Sequence, residues 1–197
     1  MVLESLAREF FVHLAKAAED VGLPYWYCSG TCLGLVRDGA PIETDVDVDW
    51  AFWHKDLDKV FKLIEILEEN GVKRVSTSYY NNIPVTMGFD YKGLMTDFVV
   101  VHERDSKTAW CTAPDNTPEG MKWVDKVHPI KHFKNLAHVS YQGMKLPVPG
   151  DTEEYLKLTY GEDWKIPQQD FWIRNGFYFG RGCLAQGLNK MACTCKI

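Results

Sequence analysis

The sequence lacks a long apolar run, and nothing in it reads as a secretory leader. No stretch of its 197 residues approaches the roughly 20 apolar residues of a membrane-spanning helix. Charged residues interrupt the apolar side chains of residues 1–10, which is not the pattern of a signal peptide. We therefore expect no transmembrane segment and no secretion signal, and we predict that the protein is cytoplasmic.

Cysteines are few, and their spacing is not that of a disulfide framework. They are Cys28, Cys32, Cys111, Cys183, Cys193 and Cys195. Without a secretion signal, this spacing predicts free thiols in a reducing compartment. Cys193 and Cys195 could supply two metal ligands, but no second pair accompanies them.

Basic residues are fewer than acidic ones. The chain has 22 Lys and Arg against 27 Asp and Glu, for a net charge of -5. Binding to a phosphate backbone requires clustered positive charge, which the sequence does not contain. We therefore expect no nucleic-acid partner, and the charge argues against a template-directed polymerase.

Apolar residues, by contrast, suffice for one hydrophobic core. They make up 46% of the chain, and aromatic residues make up 13%. We predict a single domain over residues 1–197, with a core at about 24–167 and a C-terminal tail at 168–197 that the sequence does not assign.

Periodicity along the chain predicts helices alternating with strands, which is an α/β pattern. Helices are expected over 2–21, from the Gly30-Thr31 turn to Arg37, from an Asp56 cap to Leu67, and from an Asp151–Glu154 capping box to Tyr160. Strands are expected over 25–28, 72–78, 85–89 and 94–101. Residues 102–135 lack a clean period and are predicted to be an irregular segment of the kind that often binds ligands.

Three aspartates, Asp45, Asp47 and Asp49, alternate with apolar residues. Residues two apart in a strand share a face, so the alternation predicts three carboxylates side by side. Their mutual repulsion favours a cation among them, and carboxylate oxygens favour Mg²⁺ or Mn²⁺ over zinc. The alternative is a strand face that is simply solvated.

Four blocks of the sequence resemble four motifs of one protein family, and they occur in the same order as in that family. Residues 30–37 resemble its Gly-Thr-Leu-Leu-Gly-x-x-Arg signature, and residues 42–49 resemble its Ile-Pro-Trp-Asp-Asp-Asp-Ile-Asp, with Glu-Thr in place of Pro-Trp. Residues 94–99 resemble its later Ile-Asp-Ile-Phe strand, and residues 146–167 its closing segment. By these blocks the chain resembles the LicD/fukutin-like family of the DNA polymerase beta type nucleotidyltransferases.

The resemblance implies an α/β (α+β) nucleotidyltransferase fold, in which helices flank a small mixed β-sheet that carries the catalytic aspartates. It implies that Asp47, Asp49 and Asp97 are catalytic and bind Mg²⁺ or Mn²⁺. It also implies that Asp97 accepts the proton of the attacking hydroxyl group.

The donor phosphates are expected near the start of the helix after residue 28. Gly30 allows close approach of the backbone, and Thr31 offers a hydroxyl donor. Arg37 either clamps a phosphate or pairs with Asp45. Asp45 is expected to orient the loop or a metal-bound water from outside the ligand set.

The resemblance further implies a reaction. The transferase would move a phospho-alcohol, of the phosphocholine or ribitol-phosphate type, from a CDP-linked donor to a glycan hydroxyl and release CMP. One alternative is transfer of NMP from an NTP to a small molecule or protein. Others are a glycosyltransferase that uses Asp47 and Asp49 as an Asp-x-Asp motif, and a degenerate nucleotide-binding module.

Overall fold

The computed structural model describes residues 2–45, 47–80, 82–117, 120–167 and 186–187, which form a mixed β-sheet flanked by helices. The helices are α1 (Val2–Val21), α2 (Ser29–Arg37), α3 (Leu57–Glu69), α4 (Lys131–Lys134) and α5 (Thr152–Tyr160). The strands are β1 (Tyr25–Tyr27), β2 (Asp47–Trp53), β3 (Val72–Tyr80), β4 (Ile83–Tyr91), β5 (Leu94–Glu103), β6 (Thr108–Thr117), β7 (Gly120–Pro129), β8 (Ala137–Tyr141), β9 (Met144–Val148) and β10 (Gln186–Gly187). The predicted fold class is confirmed.

The centre of the sheet is the pair formed by β2 and β5. The strand order is β1, β2, β5, β6, β7 and β10, while β4 also pairs with β5 and carries β3. In the described ranges, β2 and β5 are the one parallel pair, and the other pairs are antiparallel. A parallel pair needs a crossover connection, which α3 and the β3–β4 hairpin supply here.

The two faces of β2 have different environments. Trp50 and Phe52 are fully buried on one face, where the ring of Trp50 lies 3.7 Å from that of Phe98 on β5. Burial of each such side chain contributes roughly 1.5–3 kcal/mol, so this face fixes the orientation of the strand. Because side chains alternate, Asp47 and Asp49 lie on the opposite face.

Helix α1 packs its apolar face on the aromatic side chains of the sheet. Phe10 and Phe11 have no exposed surface. The ring of Phe10 lies 5.9 Å from that of Tyr91 on β4, and the ring of Phe11 lies 4.6 Å from that of Tyr27 on β1. The helix expected over residues 2–21 is therefore confirmed, and it closes one part of the core.

The prediction that residues 102–135 are irregular is wrong. Strands β6 and β7 form a regular antiparallel hairpin in this segment, and α4 follows it. The alternation of apolar residues is obscured because polar residues occupy buried strand positions, namely Thr112, Lys126 and His128. The strands of a hairpin are held together by backbone hydrogen bonds, which do not require apolar side chains. When some buried positions are polar, the alternation of apolar residues that predicts a strand is therefore lost.

The capping hydrogen bonds predicted for two helices are also wrong. Helix α5 starts at Thr152 and ends before Gly161 as expected, but the Asp151 side chain makes no capping hydrogen bond. Its carboxylate instead lies 2.9 Å from Lys131 Nζ. The Asp56 side chain does not cap α3 either, and it pairs with Lys59 at 3.0 Å. Nearby ammonium groups attract these carboxylates away from the helix amides.

Most of the tail lies outside the described residues, including Cys183, Cys193 and Cys195; Gln186–Gly187 pairs with β7. Cys28, Cys32 and Cys111 are free thiols. Among the helices of the described ranges, none has both the length and the apolar character needed to cross a bilayer. The extent of a single domain over 1–197 stays a prediction.

Candidate active site

Three carboxylates meet where the parallel strands begin. Asp47 and Asp49 lie on β2 and Asp97 lies on β5, where it is in direct register with Asp49. One carboxylate oxygen of each residue lies within 4.8 Å of the others. The structure thus brings together the three aspartates that the sequence singled out.

Burial and mutual repulsion alter the acidity of this group. Burial raises the pKa of Asp49 well above its ordinary value, and the charges of Asp47, Asp97 and Asp45 raise it further. A hydrogen bond from the Gly30 amide acts in the opposite direction. Burial, with a smaller effect from Asp47, raises the pKa of Asp97 to about 6. Full ionisation of the group is therefore unfavourable unless a positive charge compensates it.

Carboxylate oxygens make up the whole potential ligand set. Among the described residues, no histidine or cysteine joins Asp47, Asp49 and Asp97. Oxygen ligands suit hard divalent cations such as Mg²⁺ and Mn²⁺, whereas zinc sites usually include nitrogen or sulfur. These residues could therefore hold one or two hard cations, whose charge would offset the repulsion.

Gly30 lies in the first turn of α2, against the carboxylates. A Cβ atom at this position would lie 2.5 Å from Asp45 Oδ2 and 4.0 Å from Asp49 Oδ2. The missing side chain of Gly30 leaves room for the Asp45 carboxylate, which a larger residue would push out of this position. The helix N-terminus that was predicted to bind phosphate faces Asp45 and Asp49 in this structure.

Thr31 is oriented differently from the prediction. Its side chain is 3% exposed, and its Oγ1 accepts a 2.9 Å hydrogen bond from the Asp49 amide. The Cys28 amide donates a 3.1 Å bond to the Asp49 carbonyl. Thr31 thus ties α2 to β2, and its contact with a donor phosphate stays a prediction.

Arg37 pairs with its neighbour Asp38, at the end of α2. Arg37 Nε and Nη2 donate to the two carboxylate oxygens of Asp38, at 2.8 and 2.7 Å. This bidentate pair joins neighbouring residues at the end of α2, so little chain ordering is needed to form it.

Strand β2 begins at Asp47, so Asp45 precedes the strand. The strand face that was predicted to carry three aspartates therefore carries two, Asp47 and Asp49.

The chain can also be compared with known proteins. A family model described as "LicD/FKTN/FKRP, nucleotidyltransferase domain" matches residues 22–151, a range that contains Gly30 and all three aspartates. The chain belongs to the LicD/FKTN/FKRP family. The resemblance inferred from the four sequence blocks is thereby confirmed.

Two curated relatives of this LicD/FKTN/FKRP chain are named ribitol-5-phosphate transferase FKTN. The Mus musculus protein is 25% identical over 170 residues, which cover 85% of this chain and 35% of that protein. The Homo sapiens protein is 26% identical over 173 residues, which cover 86% and 35%. This chain thus spans about a third of the length of the curated relatives it matches. The crystal structure of ANT(2")-Ia with adenylyl-2"-tobramycin aligns with a TM-score of 0.49 and 15% identity, over 76% of this chain and 75% of that one.

Next to Asp97, the LicD/FKTN/FKRP domain has a glycine that sequence reasoning missed. Gly88 on β4 is in register with Asp97 on one side and with Ser76 on the other. A Cβ atom at Gly88 would lie 3.2 Å from Asp97 Oδ1 and 2.7 Å from Ser76 Oγ. The side chains of Asp97 and Ser76 therefore both extend into the space that a side chain at Gly88 would occupy. No motif in the sequence around residue 88 marks this role.

Helix α5 also reaches the site. Burial raises the pKa of the Tyr160 hydroxyl, and the charges of Asp49 and Asp45 raise it further, so Tyr160 lies near these carboxylates. The Tyr155 hydroxyl accepts a 3.3 Å hydrogen bond from the amide of Ser29, whose φ of 48° is unusual for serine. The closing sequence block, residues 146–167, contains both tyrosines.

Proposed function

We propose that this chain is a metal-dependent transferase that moves a phospho-alcohol from a CDP-linked donor to a glycan hydroxyl and releases CMP. The alcohol is of the ribitol or choline type. The observation that carries the proposal is the meeting of Asp47, Asp49 and Asp97 within 4.8 Å in a domain of the LicD/FKTN/FKRP family. The name of the FKTN relatives, ribitol-5-phosphate transferase, supports the type of group transferred.

The proposed reaction is a displacement at phosphorus. The acceptor oxygen forms a bond to the phosphorus that carries the alcohol, and the bond from that phosphorus to the oxygen of CMP breaks. CMP leaves with the electron pair of that bond. Asp97 would accept the acceptor's proton, because its carboxylate lies beside those of Asp47 and Asp49, where the reacting phosphorus would be held.

Asp47 and Asp49, with Asp97, would hold Mg²⁺ or Mn²⁺. When bound, such a cation supplies charge stabilisation to the phosphate oxygens and the leaving group. The donor phosphates would lie at the first turn of α2, where backbone amides favour anions. Because the Asp45 carboxylate lies against Gly30 in this turn, the donor would displace it.

The test is a product assay. The chain is incubated with Mg²⁺ or Mn²⁺, a panel of glycans, and CDP-ribitol or CDP-choline, and CMP is measured. We expect CMP release that depends on the glycan and falls at least about 100-fold in Asp49→Asn and Asp97→Asn, since each removes a group needed at the reacting phosphorus. Glu65→Gln changes an exposed carboxylate on α3 and should leave the rate unchanged.

Other products would contradict the proposal. Pyrophosphate release from an NTP would establish the nucleotidyltransferase alternative, and transfer from a nucleotide sugar would establish a glycosyltransferase. Binding of CDP-alcohols without turnover on any acceptor would favour a nucleotide-binding module.

A further inference from the structure

A short segment at the start of α2, residues 28–31, holds Asp49 at three points. The Cys28 amide donates a 3.1 Å hydrogen bond to the Asp49 carbonyl. The Asp49 amide donates a 2.9 Å bond to Thr31 Oγ1, and the Gly30 amide donates to the Asp49 carboxylate. This one segment therefore places both the backbone and the side chain of a potential metal ligand.

Within this segment, Ser29 has a strained backbone. Its φ of 48° lies in the left-handed region, which is unfavourable for residues other than glycine. The backbone angles of Ser29 set the direction of the Gly30 amide relative to Cys28. If Ser29 changed to an ordinary negative φ, the Gly30 amide would no longer point as it does at the Asp49 carboxylate.

A tyrosine of α5 bonds to this strained residue. Tyr155 Oη accepts a 3.3 Å hydrogen bond from the Ser29 amide. Amides in the first turn of a helix have no partner within their own helix, so the bond stabilises the observed conformation without competing with a helical one. The two residues are 126 positions apart in the chain, so tertiary packing of α5 brings them together.

The ring of Tyr155 is itself firmly packed. The residue is 4% exposed. Its ring centroid lies 5.2 Å from that of His128 on β7, and 5.9 and 6.2 Å from those of His132 and Phe133 on α4. A ring held on several sides keeps its hydroxyl group at a defined point, which a group that orients another residue requires.

Close packing does not fix Ser29 in the same way. Cys28, Ser29 and Tyr155 line a cavity of about 50 Å³, whose other walls include Ala51 and Val99 of the sheet. Because there is free space beside the segment, neighbouring atoms do not by themselves prevent Ser29 from changing its conformation. The hydrogen bond to Tyr155 therefore takes the place of close packing at Ser29.

We infer that Tyr155 is a positioning residue for Asp49. Its hydroxyl holds Ser29 in the left-handed conformation, and residues 28–31 then hold the Asp49 carboxylate where it can share a cation with Asp47 and Asp97. This inference rests on the proposed function, in which the three aspartates hold Mg²⁺ or Mn²⁺. It gives α5 a part in the chemistry of the site that goes beyond packing.

The test is calorimetric titration of the full chain with Mn²⁺, with CMP release as a second measurement. Tyr155→Phe removes only the hydroxyl group of the side chain. We expect the affinity for Mn²⁺ to fall about 10-fold, as is common when a group that orients a metal ligand is lost. The kcat for CMP release should fall with it, whereas the KM for the glycan should not change.

Substitutions of Ser29 test the strained link directly. Glycine adopts a positive φ without steric cost, so Ser29→Gly alone should bind Mn²⁺ as wild type does. Combined with Tyr155→Phe, it should restore most of the lost affinity. Ser29→Val should weaken Mn²⁺ binding even with Tyr155 present, because a β-branched side chain strongly disfavours a positive φ.

Tyr141→Phe is the matched control. Tyr141 is 3% exposed, and its hydroxyl donates a 3.4 Å hydrogen bond to Glu4 on α1. Loss of this hydroxyl should lower the melting temperature about as much as Tyr155→Phe does, yet leave the affinity for Mn²⁺ unchanged.

Wild-type Mn²⁺ affinity in Tyr155→Phe, or a loss that Ser29→Gly does not restore, would overturn the inference and leave the proposed function standing. If Tyr155→Phe does not fold, equal affinity of Ser29→Val and Ser29→Gly would overturn it. A wild type that binds Mn²⁺ but releases no CMP from any CDP-alcohol would overturn the proposed reaction, and the Mn²⁺ titrations would still decide the inference. A wild type that does not bind Mn²⁺ would overturn both.

Discussion

Neutralising Asp97 should stabilise the metal-free protein at neutral pH. Folding raises the pKa of Asp97 from 3.8 to about 6, so the folded state binds this proton more tightly than the unfolded chain does. The contribution of Asp97 to the free energy of unfolding is therefore most favourable below its pKa in the unfolded chain. It is lost as the pH rises through its pKa in the folded protein. Above that range, ionised Asp97 lowers the free energy of unfolding by about 3 kcal/mol, from about 1.4 kcal/mol per pKa unit.

Urea unfolding in EDTA measures this effect across the pH range. At about pH 7.5, we expect Asp97→Asn to be more stable than wild type by about 2 kcal/mol, or about 4–8 °C in Tm for a chain of this size. The difference should shrink toward about pH 4.5, where wild-type Asp97 is protonated. Glu65→Gln, on the exposed face of α3, should show no such pH-dependent gain.

The reasoning would be refuted if Asp97→Asn were no more stable than wild type at neutral pH, or if its advantage were independent of pH. Adding Mn²⁺ should narrow or reverse the difference, because a bound cation removes the repulsion in wild type and binds the variant less well.

Three other substitutions test contacts around the site. Gly30→Ala places a Cβ 2.5 Å from Asp45 Oδ2, so we expect a loss of about 1–3 kcal/mol by denaturation and little CMP release. Thr31→Val leaves the Asp49 amide without its acceptor and should lower stability by about 1–3 kcal/mol, whereas Thr31→Ser should retain most of it. Gly88→Ala should reduce turnover by displacing Asp97, and adding Ser76→Ala should restore part of the rate, since Ser76 Oγ is the nearer clash.

The meeting of the aspartates was predictable because it follows from local rules and one resemblance. Alternation in a strand puts Asp47 and Asp49 on one face, and the motif around Asp97 assigned it to a neighbouring strand. The parallel register of β2 and β5 then follows from the apolar residues on the other face, such as Trp50 and Phe98.

The partners of individual polar side chains were not predictable, because residues distant in sequence decide them. The hydrogen bond that the Thr31 hydroxyl accepts from the Asp49 amide had no signal in the sequence. Asp151 was expected to cap α5, yet Lys131 from α4 attracts it. The β6–β7 hairpin was missed because Lys126 and Thr112 are polar but buried, and periodicity treats polar residues as exposed. The cytoplasmic location stays a prediction.

The parallel pairing of β2 with β5 also has a consequence for how the protein folds. Strand β5 can pair early with β4, its neighbour across a tight turn, whereas β2 can join it only after the segment containing α3 and the β3–β4 hairpin has closed into a loop. Asp49 meets Asp97 at that closing step, so the carboxylates repel each other just as the slowest contacts form. Refolding should therefore be faster in Asp49→Asn or Asp97→Asn than in wild type, and stopped-flow fluorescence of the buried tryptophans would measure it.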